Sequence, residues 1–126
     1  LNQPFQNGAR PQDKPKDQMT AKFPKDHWLY DLKARIQQIE PTAQLILYGS
    51  RARGDAQPDS DWDLLLLTDQ PKLSRSSEKS LRMPVFLMEL QVGEAFSLQL
   101  FTKHDWENKF YITPYYQNIK REGILI

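Results

Sequence analysis

Residues 45–68 read LILYGSRARGDAQPDSDWDLLLLT, and the order of features in this stretch decides the fold. Leu45-Ile46-Leu47-Tyr48 is a short apolar run that ends at Gly49, the pattern of a buried strand closed by a turn. Residues 49–60 contain Gly49, Gly54, Pro58 and mostly polar side chains, which predict a turn, a short helical piece and a loop. Trp62 to Thr68 resumes as a strand. Asp61 and Asp63 stand two apart at its start, so both carboxylates point to the same face. With a rise of about 3.3 Å per residue, their Cα atoms lie roughly 6 to 7 Å apart. Two anions at that distance repel by roughly 2 to 3 kcal/mol at an effective dielectric near 20, and a cation between them reverses the sign. Hard oxygen donors of this kind suit Mg²⁺, which keeps some of its waters and takes other ligands from substrate phosphates. In open solvent the same pair is simply two hydrated acids, repelling by less than about 1 kcal/mol.

The other residues of the stretch divide in the same way. Gly49 permits a tight, close-approaching backbone, and Ser50 opens a helix start whose N–H groups attract phosphate. An ordinary strand-ending turn has the same sequence. Arg51 and Arg53 carry guanidinium groups that match phosphate geometry bidentately, and they are candidates for nucleotide binding as well as for a solvated basic surface. Trp62 faces away from the aspartates, with Leu64 and Leu66, and reads as core.

Working outward, Trp28, Leu32, Ile36 and Ile39 recur at helical spacing within 26–40, and Pro41 marks the end of that helix. After Pro71, residues 73–83 predict a polar, exposed helix that stops before Pro84. Val85 to Val92 and Phe96 to Thr102 both read as strands, joined at Gly93-Glu94 as a β-hairpin. Residues 105–111 and 115–122 are helical, with a stop at Gly123. This order gives an α/β (α+β) domain: a small mixed sheet flanked by helices. Glu89 sits inside the apolar run 85–90. An unpaired buried carboxylate is expensive, so Glu89 is either on a solvent face or beside a metal or basic partner. If the relevant strand is the following one, Ser97 and Gln99 take that position, and neither supplies negative charge.

In combination the features are specific. An apolar strand, Gly-Ser, ten residues, Asp-x-Asp and four leucines place a phosphate cradle and a metal site at the ends of adjacent strands. Here the sequence resembles the DNA polymerase β-like nucleotidyltransferase superfamily, and more narrowly its minimal nucleotidyltransferases, whose signature is Gly-Ser, ten residues, Asp-x-Asp. The resemblance covers Leu45 to Leu67 and implies the nucleotidyltransferase fold. It implies that Gly49 and Ser50 contact the triphosphate of ATP or another NTP, while Asp61 and Asp63 bind catalytic Mg²⁺ (or Mn²⁺). The implied reaction is in-line attack by an acceptor on the α-phosphate with release of pyrophosphate. The superfamily usually adds a third carboxylate, for which Glu89 is the candidate. Its minimal members often act beside a small helical partner protein as the antitoxin half of a pair, modifying that partner with AMP.

Composition sets the outer limits. A chain of 126 residues favours a single core. Residues 1–24 are rich in Pro, Gln, Asn and Lys and are expected to form a mobile tail before a domain at 25–126, with Met19 a candidate start. The tail lacks the apolar centre of a secretory signal. No apolar run is long enough for a membrane span. There are no cysteines, which excludes disulfides and thiolate metal sites. The net charge of +1 gives no global electrostatic reason for nucleic-acid binding. The expected setting is soluble and cytoplasmic. His27 and His104 lack metal-ligand spacing. The set Trp106, Phe110, Tyr111, Tyr115 and Tyr116 reads as core packing.

Overall fold

The computed structural model describes residues 22–126. The expected tail therefore lies mostly outside the described residues, but its last three positions do not behave as a tail. The Phe23 ring lies 4.7 Å from His27 and 6.2 Å from Trp62, and Lys22 Nζ donates to the Ala52 carbonyl. The folded unit thus already includes residues 22–24.

In chain order the elements are α1 (Trp28–Ile39), β1 (Gln44–Tyr48), α2 (Ser50–Arg53), β2 (Trp62–Thr68), α3 (Arg75–Val92), β3 (Phe96–Thr102), α4 (Lys103–Asn108), α5 (Pro114–Glu122) and β4 (Ile124–Leu125). They form a four-stranded mixed sheet in the order β3-β2-β1-β4. Strand β1 runs antiparallel to β2 and β4, and β2 runs parallel to β3.

Leu64 to Leu67 are central because helices cover the sheet on both faces, so every side chain of this run is buried. One face, with Leu45, Leu47, Leu64 and Leu66, packs against Leu29, Leu32 and Ile36 of α1 and Leu81, Val85 and Met88 of α3. The other, with Ile46, Leu65 and Leu67, packs against Trp106 of α4 and Tyr116 and Ile119 of α5. Each fully buried leucine contributes roughly 1.5–3 kcal/mol relative to exposure. His27 acts as the N-cap of α1, its side chain accepting from Leu29 N–H at 3.2 Å.

The largest departure from the sequence reading is α3. The expected strand at 85–92 is the second half of a single helix, with Pro84 inside it and buried. Proline removes the N–H that bonds the carbonyl four residues back, at a cost of about 3 kcal/mol. Leu81, Val85 and Met88 continue the helical spacing through it, and their burial offsets that cost. The expected hairpin turn is instead a helix C-cap: Gly93 adopts φ 80° and its N–H bonds the Glu89 carbonyl. Strand β4, two residues long, has no counterpart in the sequence reading. Its pairing with β1 is a long-range contact that leaves no local pattern.

Candidate active site at the mouth of the central strands

Register puts the polar residues at the mouth of β1, β2 and β3 on one face of the sheet. Tyr48 pairs with Asp63, and Asp63 pairs with Ser97, so these side chains share the face of Leu65 and Ile46. Asp61 immediately precedes β2 and is exposed, whereas Asp63 is half-buried. Beside them β1 ends at Tyr48, and α2 begins at Ser50 with Gly49 as its cap.

Gly49 and Asp63 are in direct contact. Gly49 has φ 76°, and a Cβ built there would stand 2.1 Å from Asp63 Oδ2. Both the backbone conformation and the approach of the carboxylate therefore require glycine. The Gly-Ser bend and the second aspartate, well separated in sequence, form one surface.

The electrostatics of this surface are unbalanced. The Asp63 carboxyl is held above its ordinary value, first by burial, then by the charge of Asp61, with Glu122 adding to it and Arg53 opposing. Glu122, the last residue of α5, is not among the candidates read from sequence. Its Oε2 accepts the Gly49 N–H at 2.9 Å, and Arg53 donates to both of its oxygens at 3.2 and 3.3 Å. One signal exists: an acid in the last turn of a helix opposes the helix dipole and needs another reason to be there. The Tyr48 and Tyr115 hydroxyls lie 3.1 Å apart beside Asp63, and burial pushes both phenols upward, so they are neutral hydrogen-bonding groups here.

The structure does not bring all of the sequence candidates together. Arg53 borders the site, pairing with Glu122 and with Asp55, each at 3.2 Å. Arg51 does not join it. Its guanidinium lies 4.7 Å from the Trp62 ring, on the opposite face, and donates to the Ser60 carbonyl at 2.9 Å, holding the loop 55–60. Glu89 is the main correction. Its candidacy depends on an apolar strand at 85–92, and that strand does not form. Glu89 lies instead on α3, which packs on the face away from Asp63, and its Oε2 accepts the Phe96 N–H at 2.8 Å. This bond holds the start of β3. Glu89→Ala is accordingly expected to cost about 1 kcal/mol of stability while leaving nucleotide affinity unchanged, as urea melts and calorimetric titration would show.

The strand beside β2 is β3, and the residue opposite Asp63 is the neutral Ser97, with Gln99 opposite Leu65. Among the described residues no group of three or more His, Asp or Glu side chains is arranged to hold a metal ion. The two acids beside the bend are Asp61 and Asp63, and the question is whether their chemistry suits a cation. It fits a hard divalent ion, because Asp61 and Asp63 repel each other and Asp63 gains from any added positive charge. No helix among the described residues is long and apolar enough to cross a membrane.

No curated protein matches the chain at a significant level. Compared with known protein families, residues 29–117 match the family described as Nucleotidyltransferase domain. That match runs from α1 into α5 and contains the Gly49-Ser50 bend, both aspartates and the four-leucine strand. With this span and this fold, the chain belongs to the nucleotidyltransferase domain family.

Proposed function

We propose that this domain transfers a nucleoside monophosphate, AMP from ATP, to an acceptor group, using Mg²⁺ held by Asp61 and Asp63. The observation that carries the reading is the contact between Asp63 and Gly49, which joins a pair of acids to a backbone bend suited to polyphosphate. Gly49 and Ser50 bind and orient the triphosphate through the start of α2, and Arg53 neutralises part of its charge. Asp61 and Asp63 fix the position of the cation. A Mg²⁺ ion held by Asp61 and Asp63 would supply charge neutralisation at the phosphate oxygens, the chemistry that in-line displacement at the α-phosphate requires. The protein's contribution is positioning and charge, with no covalent step on the chain.

The test is calorimetric titration with ATP and Mg²⁺, followed by mass spectrometry of candidate acceptors, a small helical partner protein among them. Magnesium-dependent binding and a mass gain of one nucleoside monophosphate are expected. Failure of ATP to bind with Mg²⁺ present contradicts the reading.

Glu122 makes a further outcome checkable. It occupies the Gly49 N–H and Arg53, groups that the triphosphate needs. Glu122→Gln keeps the shape and removes the charge, so it is expected to tighten Mg·ATP binding about three- to tenfold, on the order of 1 kcal/mol. Weaker binding in the same titration would show that Glu122 supports the site instead.

A second reading is favoured by Ser97. With a neutral residue opposite Asp63, the domain is a nucleotide-binding module, of antitoxin type and acting with a helical partner, that no longer transfers. Nucleotide binding without modification of the true partner is its signature.

A further inference from the structure

Helix α3 buries one side and leaves a second apolar side open. Met83, Phe86, Leu87 and Leu90 are 44%, 53%, 48% and 64% exposed, the largest grouping of open apolar side chains among the described residues. Their spacing of three, one and three residues lines a single stripe two turns long, centred near Phe86 and Leu87. The buried stripe of the same helix, Leu81, Val85 and Met88, already satisfies the domain's own core. The open stripe is not part of that core.

Charge along its edge says what covers it. Arg75, Arg82 and Glu89 follow one another at seven-residue intervals, so they share one flank of the stripe, with Glu78 and Lys79 close by. The other flank carries Ser80 and Gln91, both uncharged. The charged flank is basic at its N-terminal half, where Arg75, Lys79 and Arg82 outnumber Glu78. It is acidic at its C-terminal half, at Glu89. Arg82 pairs with Glu78 at 3.0 Å yet its side chain remains 43% exposed, and Glu89 gives one oxygen, Oε2, to the Phe96 N–H at 2.8 Å.

We propose that α3 is a self-association surface, pairing antiparallel with α3 of a second copy of this chain about a two-fold axis near Phe86. In an antiparallel helix pair each flank meets its own counterpart running the other way. Arg82 of one copy then meets Glu89 of the other, twice by symmetry, at the carboxylate oxygen that the Phe96 N–H does not take. A parallel pair would set the charged flank against the neutral one and gain nothing from it. The shallow groove of about 350 Å³ bounded by Lys79, Arg82, Met83 and Phe86 lies where Leu90 of the second copy falls. A stable dimer buries about 800 Å² per partner, and a two-turn stripe with its flanks is at or below that size, so association in the micromolar range is expected.

The test is sedimentation equilibrium of the full chain from about 1 to about 300 µM, spanning that range, with Leu90→Lys, Arg82→Glu and, as a control, Lys109→Glu. Lys109 lies on the far side of the sheet and its side chain is 68% exposed. Wild type is expected to dimerise, Leu90→Lys to weaken the dimer roughly tenfold or more, Arg82→Glu roughly fivefold or more, and the control to match wild type. Circular dichroism melts establish that each variant folds. A wild-type chain that stays monomeric throughout overturns the proposal, including the case in which another protein or residues 1–21 cover the stripe. A dimer that survives Leu90→Lys unchanged overturns it equally.

Discussion

The double substitution Asp61→Asn, Asp63→Asn is expected to abolish magnesium-dependent ATP binding and to lower nucleotidyl transfer by roughly a thousandfold or more. Both side chains keep their size and their place at the mouth of β2, so the loss is one of charge. The same change is expected to make the fold more stable. Asp63 is raised above its ordinary value of 3.8 by burial, by Asp61 and by Glu122, so its ionised form is disfavoured in the folded protein. A carboxyl raised in this way binds its proton more tightly folded than unfolded. Stability therefore falls as pH rises from 3.8 through the raised folded value, and the cost is fully present at neutral pH. An asparagine side chain at this position does not titrate and removes that cost. Thermal melts at neutral pH without metal should show a gain of a few degrees. Melts with added Mg²⁺ and ATP should reverse the ranking, since only the wild type is then stabilised by binding. A double variant less stable than wild type at neutral pH, or one that keeps its response to Mg²⁺, is incompatible with paired acids strained for a cation.

The second large effect is at Gly49. Alanine there meets two independent obstacles, a positive φ of 76° and Asp63 Oδ2 at 2.1 Å from the new Cβ. The backbone conformation alone costs roughly 1–3 kcal/mol, and the overlap forces Asp63 or the bend to move. Gly49→Ala is expected to lose about 2–4 kcal/mol in urea unfolding. Transfer should fall roughly a hundredfold or more, since displacement of about 1 Å near reacting groups is enough for that. Ala52, buried on the same short helix, offers a comparison. Ala52→Gly costs about 1 kcal/mol of helix propensity without moving Asp63, and activity should survive it. A Gly49→Ala protein with wild-type turnover would separate the bend from the aspartates and dissolve the site.

The parts of this molecule legible in sequence are those specified over short distances. The strand Trp62–Thr68 is readable to the residue because four consecutive leucines bounded by turn signals admit little else. The closeness of the Gly49-Ser50 bend to Asp63 is readable because β1 and β2 are antiparallel neighbours, with Tyr48 opposite Asp63. Helix α3 is not readable in the same way. Proline is a sound local signal for a helix end, and here the tertiary burial of Leu81, Val85 and Met88 outweighs it. The open apolar side of the helix hides its amphipathic pattern further, making 85–88 a continuous apolar run. With that segment helical, Glu89 has no place beside Asp63, and the alternative in which Ser97 stands opposite Asp63 is the one the sheet adopts. Glu122 escapes a sequence reading for a different reason. It reaches Gly49 across 73 positions of sequence, through the packing of α5 on the sheet.

The most direct measurement is the position of a bound metal. Mn²⁺ added with a non-hydrolysable ATP analogue broadens amide resonances by proximity. If Asp61 and Asp63 hold the cation against the Gly49 bend, broadening is centred on Gly49, Asp61, Asp63 and Ser97, and it is lost in the double asparagine variant. Broadening centred instead on the polar cavity at the other end of β2, beside Glu40 and Asp69, or left unchanged by Asp61→Asn with Asp63→Asn, would contradict that placement.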